Sequence, residues 1–131
     1  MGGKISRNVE DYFDPLCTPR NDRPSTFDPL YGFPKGRKPR EMKITWEEME
    51  KAALPVGLRD YCAHLAIPYM KCQNDHRPFA AHHCNGVYHN WAHCEHEDHM
   101  IRIKEYERER RLLKRKLRKE RLAEEQKAAQ S

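Results

Sequence analysis

The chain has 131 residues, 37% hydrophobic and 34% charged, with a net charge of +5. So polar a composition excludes an apolar core along the whole length, and a small core needs staples such as cysteine. No stretch reaches the roughly 18 apolar residues of a membrane-spanning helix, and the N-terminus resembles neither a secretory signal nor an acid-poor transit helix.

Charge is segregated. Residues 1–44 carry 9 basic and 6 acidic groups, 45–99 carry 4 and 8, and 100–131 carry 12 and 6. All eight histidines lie between His64 and His99, within the acidic middle, so the charge of that middle changes as pH falls through the histidine range.

Residues 1–43 contain prolines at 15, 19, 24, 29, 34 and 39, a spacing that rules out helix and predicts an extended arm. Tyr12, Phe13, Phe27, Tyr31 and Phe33 stand among those prolines, and a solvated linker has no need of them. The arm is therefore expected to press rings into the grooves of a partner. Residues 44–55 form a short helix opened by a Thr45/Glu48 capping box, with Ile44 and Met49 as its hydrophobic staple, and ended by Pro55.

Residues 56–99 are expected to be a helical hairpin. Leu58, Tyr61, Cys62, Leu65, Tyr69 and Cys72 recur at threes and fours, predicting a helix over about 57–73 that Pro68 kinks. Residues 74–77 make the turn, Pro78 suits the first position of the next helix, and Cys84, Val87, Trp91, Cys94, Asp98 and Ile101 share its stripe. Residues 100–131 continue that helix without proline or glycine, and 15 of the side chains from 102 to 121 are charged. The fold class is thus all-α: a stapled antiparallel hairpin with a Pro/aromatic arm and a long charged helix.

Nine residues separate Cys62 from Cys72, and nine separate Cys84 from Cys94. A ten-residue step along a helix rises about 15 Å, so neither pair can close on itself. Joining 62 to 84 and 72 to 94 needs parallel helices, which a short turn cannot supply. An antiparallel hairpin pairs Cys62 with Cys94 and Cys72 with Cys84. These four cysteines are the expected disulfide residues.

Other chemistry is poorly supported. His89 and His93 have a metal-like spacing, but no close cysteine pair accompanies them and His82 and His83 suit an outer face, so no metal site is expected. There is no C-x-x-C pair for thiol redox work, and Cys17 in the flexible arm is a bystander thiol with no base beside it. No catalytic residue, cofactor or small-molecule substrate is expected. Gly2 opens an M-G-x-x-x-[ST] pattern ending at Ser6, a myristoylation signal giving marginal membrane binding by itself. The basic terminal helix contains Glu105, Glu107, Glu109, Glu120, Glu124 and Glu125, and only Tyr106 to stack on a base. It therefore suits an acidic protein surface or anionic headgroups better than nucleic acid.

Twin C-x9-C on a helical hairpin resembles the coiled-coil-helix-coiled-coil-helix (CHCH) family of small mitochondrial intermembrane-space proteins. That resemblance reconciles disulfides with a location inside the cell. Tyr31-Gly32-Phe33-Pro34, Arg40-Glu41-Met42, Leu58-Arg59-Asp60-Tyr61-Cys62-Ala63-His64, Cys94-Glu95-His96 and Glu107-Arg108-Glu109-Arg110-Arg111-Leu112-Leu113 are similar to a beta-subcomplex accessory-subunit family of NADH:ubiquinone oxidoreductase, respiratory complex I. The likeness runs over about residues 29–120. It implies a non-catalytic subunit, peripheral on the intermembrane-space side of the mitochondrial inner membrane, clamping other membrane-arm subunits. The alternatives are a CHCH assembly or copper-delivery factor of another respiratory complex, for which the sequence lacks adjacent cysteines or a C-x-C, and a basic-helix binder of membrane surface or nucleic acid.

Overall fold

A computed structural model describes residues 12–131, which are helical and irregular with no strand among them. Among the described residues, Tyr12 and Phe13 are helical, where the arm was expected to be free of helix. From Trp46 onward the helices are α1 (Trp46–Lys51), a 3-10 turn (Val56–Leu58), α2 (Ala63–Asp75), α3 (Ala80–His83) and α4 (Asn85–Gln130). The chain divides into two compact units: Lys38–Arg102, and the described residues up to Arg37 together with Ile103–Ser131.

In the Lys38–Arg102 unit, local sequence fixes both ends of α1. Thr45 Oγ1 accepts the Glu48 backbone N–H at 3.3 Å, and the Glu48 carboxylate accepts from Thr45 N at 2.7 Å, completing the capping box. Ile44 packs against the cluster containing Met49, as a staple should. At the other end Ala53 takes φ +50°. Its N–H donates to Glu50 O at 2.9 Å, and Leu54 N–H donates to Met49 O at 3.1 Å. This is a Schellman closure, with Leu54 and Met49 both buried as its apolar contact.

The second helix starts six residues later than the predicted Gly57. Three local bonds intervene. Arg59 Nε donates back to Leu54 O at 2.8 Å, Leu58 N donates to Pro55 O at 2.9 Å, and Asp60 Oδ1 accepts from Cys62 N at 2.9 Å. An Asx turn at Asp60 competes with helix and wins until Ala63. From there α2 runs unbroken through Pro68 to Asp75. Pro78 does not open the next helix, which begins at Ala80. A hitch at Cys84 separates α3 from α4, yet Cys84 N still donates to Ala80 O and Tyr88 N to Cys84 O, at 2.8 and 2.9 Å.

The apolar core is small. Met49, Leu54, Ala63 and Ala66 are buried, with Ile44, Leu58, Ile67, Met70 and Trp91 packed against them. Fully burying Leu54 and Met49 contributes about 2 kcal/mol each, which cannot by itself offset the ordering of this many residues. Ala63 and Ala66 have no exposed surface, and their small side chains let neighbouring elements approach closely.

The other unit contains the arm and the rest of α4. Consecutive turns run from Asp28 to Gly36, closed by Tyr31 N to Asp28 O, Phe33 N to Leu30 O and Gly36 N to Phe33 O bonds of 2.9–3.0 Å. Gly32, at φ +85°, takes the left-handed position in the middle turn. The arm finds a docking surface within its own chain. Arg108 Nη2 of α4 donates to the carbonyls of Asp28 and Tyr31 at 3.1 and 2.9 Å, Ser25 Oγ donates to Glu109 at 2.6 Å, and Arg37 pairs with Glu105. Arg37 and Arg108 also lie over the Phe33 ring, 4.6 and 5.5 Å from its centroid. Along α4, ion pairs one turn apart, such as Glu107–Arg111 at 3.2 Å and Arg121–Glu125 at 3.8 Å, support a helix with little apolar surface.

Candidate functional site

The chemistry of the hairpin is concentrated on the facing stripes of α2 and the first turns of α4. Cys62 bonds to Cys94 and Cys72 to Cys84, each with Cα atoms 5.9 Å apart. The inner bridge closes the turn and the outer bridge lies two to three helical turns further out, the antiparallel arrangement. Cys62 and Cys84 are almost completely buried. Between the bridges, Tyr69 of α2 stacks on Trp91 of α4 with centroids 5.3 Å apart and planes 15° from parallel. Tyr88 leans on the same pair.

Beyond the outer bridge sits an ionic clasp that the sequence reading missed. Asp98 is 6% exposed and accepts from Arg40 Nη1 at 2.6 Å, with Arg102 Nε 3.1 Å from its other oxygen. Arg40 also lies over the Tyr61 ring, 3.8 Å from its centroid. One arginine thus holds residues preceding α1 against both legs of the hairpin. The signal was present: Asp98 falls one turn after Cys94 on the core-facing stripe, and an acid there needs a cationic partner.

Next to the clasp, Glu95 is held protonated to higher pH than a free carboxyl. Burial is the main cause, followed by the bond to Asp60 and that group's negative charge, with Asp98 adding a smaller push and the Trp91 N–H opposing. Trp91 Nε1 and Glu95 Oε1 are buried one turn apart without a partner in hydrogen-bonding geometry. Carboxylate oxygens of Asp60 and Glu95 approach within 4.8 Å, so ionising both is opposed by their mutual repulsion.

The sequence profile of the family described as NADH-ubiquinone oxidoreductase B18 subunit (NDUFB7) matches residues 43–106, which take in α1, the hairpin and Asp98 and Arg102 of the clasp, but not Arg40. NADH dehydrogenase (ubiquinone) 1 beta subcomplex subunit 7 of Caenorhabditis elegans is 57% identical over 120 residues, covering 92% of this chain and 98% of that protein. The chain belongs to the beta subcomplex subunit 7 family. The Bos taurus subunit 7 is 50% identical over 121 residues, 92% of this chain and 85% of its own length. The Arabidopsis thaliana subunit 7 is 39% identical over 83 residues, 62% and 70% of the two chains.

For this subunit 7 family member, the remaining candidate residues are placed as follows. Cys72, His76 and Cys84 lie close enough to share a metal ion, as do Asp60, Cys62 and Glu95. In both groups the sulfurs are committed to disulfides and offer no thiolate. His76 and His83 stack at the hairpin tip with centroids 4.9 Å apart. His93 faces Glu97 at 3.3 Å on the exposed side of α4.

Cys17 differs from its expected place in a flexible arm, because it is buried beside Thr18. Burial raises its thiol pKa, and a hydrogen bond and charge from Asp14 add to that, against the opposing charges of Lys114 and Arg110. A thiol so held is a poor nucleophile. Gly2, the predicted acylation position, lies outside the described residues.

Proposed function

We propose that this chain serves respiratory complex I as a non-catalytic accessory subunit, clamping membrane-arm subunits on the intermembrane-space side of the inner membrane. Its membership of the subunit 7 family carries the reading. As a subunit of complex I it partners with other subunits of that enzyme at the mitochondrial inner membrane. Two disulfides, each with one buried cysteine, support the intermembrane-space side, since such bonds persist in oxidising compartments. No helix among the described residues is long and apolar enough to cross a membrane, in keeping with peripheral attachment. Myristoylation of Gly2 would add a weak second anchor.

The hairpin acts as a rigid plug, because two bridges and the Arg40–Asp98 clasp leave its legs little freedom. Side chains left open are the natural contacts for neighbours: Val56 at 76% exposed, Phe79 at 70% and Phe13 at 79%.

Native gel separation of detergent-solubilised mitochondrial membranes tests membership, and the chain is expected to migrate with complex I. A free position, or migration with another respiratory complex, overturns the reading. Protease treatment of mitochondria with ruptured outer membranes tests the side. The chain is expected to be digested there and protected while the outer membrane is intact.

A further inference from the structure

The arm and the second half of α4 enclose a groove of about 320 Å³. Its two walls differ in chemistry. The arm wall is aromatic, formed by Phe27 and Tyr31, the latter 55% exposed. The helix wall is basic, formed by Arg115, Lys116 and Lys119, with buried Leu112 among them.

Two carboxylates, Asp28 and Glu120, also line the groove, and each already has a partner. Asp28 Oδ1 accepts from Leu30 N at 2.9 Å, and Glu120 lies 4.0 Å from Lys116. Among the described residues, no carboxylate lies within ion-pairing distance of Arg115 or Lys119. With three cations against two carboxylates the groove keeps a net positive charge, carried by Arg115 and Lys119 opposite the aromatic rings.

We propose that this groove is a docking site for an extended acidic segment of another protein in which carboxylates alternate with apolar residues. Spacing argues for the extended form. Arg115 and Lys119 are one turn apart on the same side of α4, a rise of about 6 Å. Alternate residues of an extended strand are separated by about 6.7 Å and face one way, while those between face the other. Carboxylates at every second position then meet the two cations, and the intervening apolar side chains enter the space between Phe27, Tyr31 and Leu112.

Charge argues for a protein rather than a lipid surface. Glu120, Glu124 and Glu125 follow within the next turns of the same helix. They repel a continuous anionic plane, whereas a strand in the groove meets only Glu120 of the three, which is paired with Lys116. The inference deepens the reading of the chain as an interaction subunit and rests on it. Its test uses the free full-length chain, so its failure leaves the question of complex membership untouched.

The probe is a fluorescein-labelled peptide of alternating glutamate and leucine, titrated with the disulfide-bonded chain and followed by anisotropy. Saturable binding is expected, weakened about tenfold by the double variant Arg115→Glu/Lys119→Glu. It should also weaken for Tyr31→Ala, which leaves charge unchanged. Lys104→Glu/Lys127→Glu makes the same charge change away from the groove and should leave affinity within about twofold. Far-ultraviolet circular dichroism establishes that each variant keeps its helix. Equal weakening by the Lys104/Lys127 variant overturns the proposal, as does equal binding of a peptide with the same residues in two blocks. Vesicles containing phosphatidylglycerol provide the remaining arm: binding that depends on Arg115 and Lys119, with none of the peptide, makes the occupant a lipid and overturns it too.

Discussion

Removing the two disulfides one at a time should yield unequal losses whose order follows from the nesting of the loops. The bridges span 32 and 12 residues of sequence. Taken alone, loop closure assigns the outer bridge about 3.7 kcal/mol and the inner about 2.8. With the inner bridge intact, the outer one closes an effective loop of only about 20 residues, through the Cys72–Cys84 crosslink, and is worth about 3.3 kcal/mol. The sum of about 6.1 leaves about 2.4 kcal/mol for the inner bridge when the outer is present.

Cys62→Ala/Cys94→Ala should therefore destabilise the hairpin more than Cys72→Ala/Cys84→Ala, by about 1 kcal/mol. Removing all four should leave it unfolded, since total stabilities of small domains are about 5–15 kcal/mol. The assay is urea unfolding followed by the near-ultraviolet signal of the Trp91–Tyr69 stack. That signal reports the facing of α2 and α4, whereas total helicity would be dominated by α4. A larger loss for the inner pair, or a cooperative transition surviving in the quadruple variant, would refute the nested-loop argument.

Replacing Ala53 with glycine should raise the thermal midpoint, because φ +50° strains a side chain that glycine lacks; the expected gain is up to about 1 kcal/mol, and a lowered midpoint contradicts the Schellman assignment. Arg40→Ala removes one of the two cations on a carboxylate that is only 6% exposed, and should lower stability by about 2 kcal/mol. A loss no greater than that for Arg121→Ala, whose pair is exposed, would mean that the clasp is inert. Glu95 has a raised folded-state pKa, so its contribution is complete below the usual glutamate pKa and is lost as pH rises through the folded value. Glu95→Gln should be more stable than the parent at neutral pH, with the gap closing as pH falls. Thermal midpoints measured across that range check it, and a gap independent of pH refutes it.

How far the fold could be read varies element by element. α1 was legible at its start, since Thr45, Glu48, Ile44 and Met49 interact over a few residues. Its end was not, because alanine occupies a position where glycine would have given the signal. The helix expected from Gly57 failed for a related reason. The apolar period ran through Leu58 and Tyr61, but Arg59 and Asp60 bonded to nearby backbone instead. The arm was recognised as sticky from its rings. Its docking on α4 could not be read, because Arg37–Glu105 and Arg108–Tyr31 join residues 68 and 77 apart in sequence.

By itself the sequence determined the helical class, the capping box and the spacing that selects one disulfide connectivity, since each depends only on helix geometry and short chain segments. Its motifs also resembled the accessory-subunit family to which the chain proves to belong. Tertiary structure alone decided that Arg40 clasps Asp98, that Glu95 shares its site with Asp60, and that Cys17 is buried. The reason is physical. Burial, desolvation and ion pairing depend on which groups approach through space, and these approaches join segments whose separation leaves no period or motif in the chain.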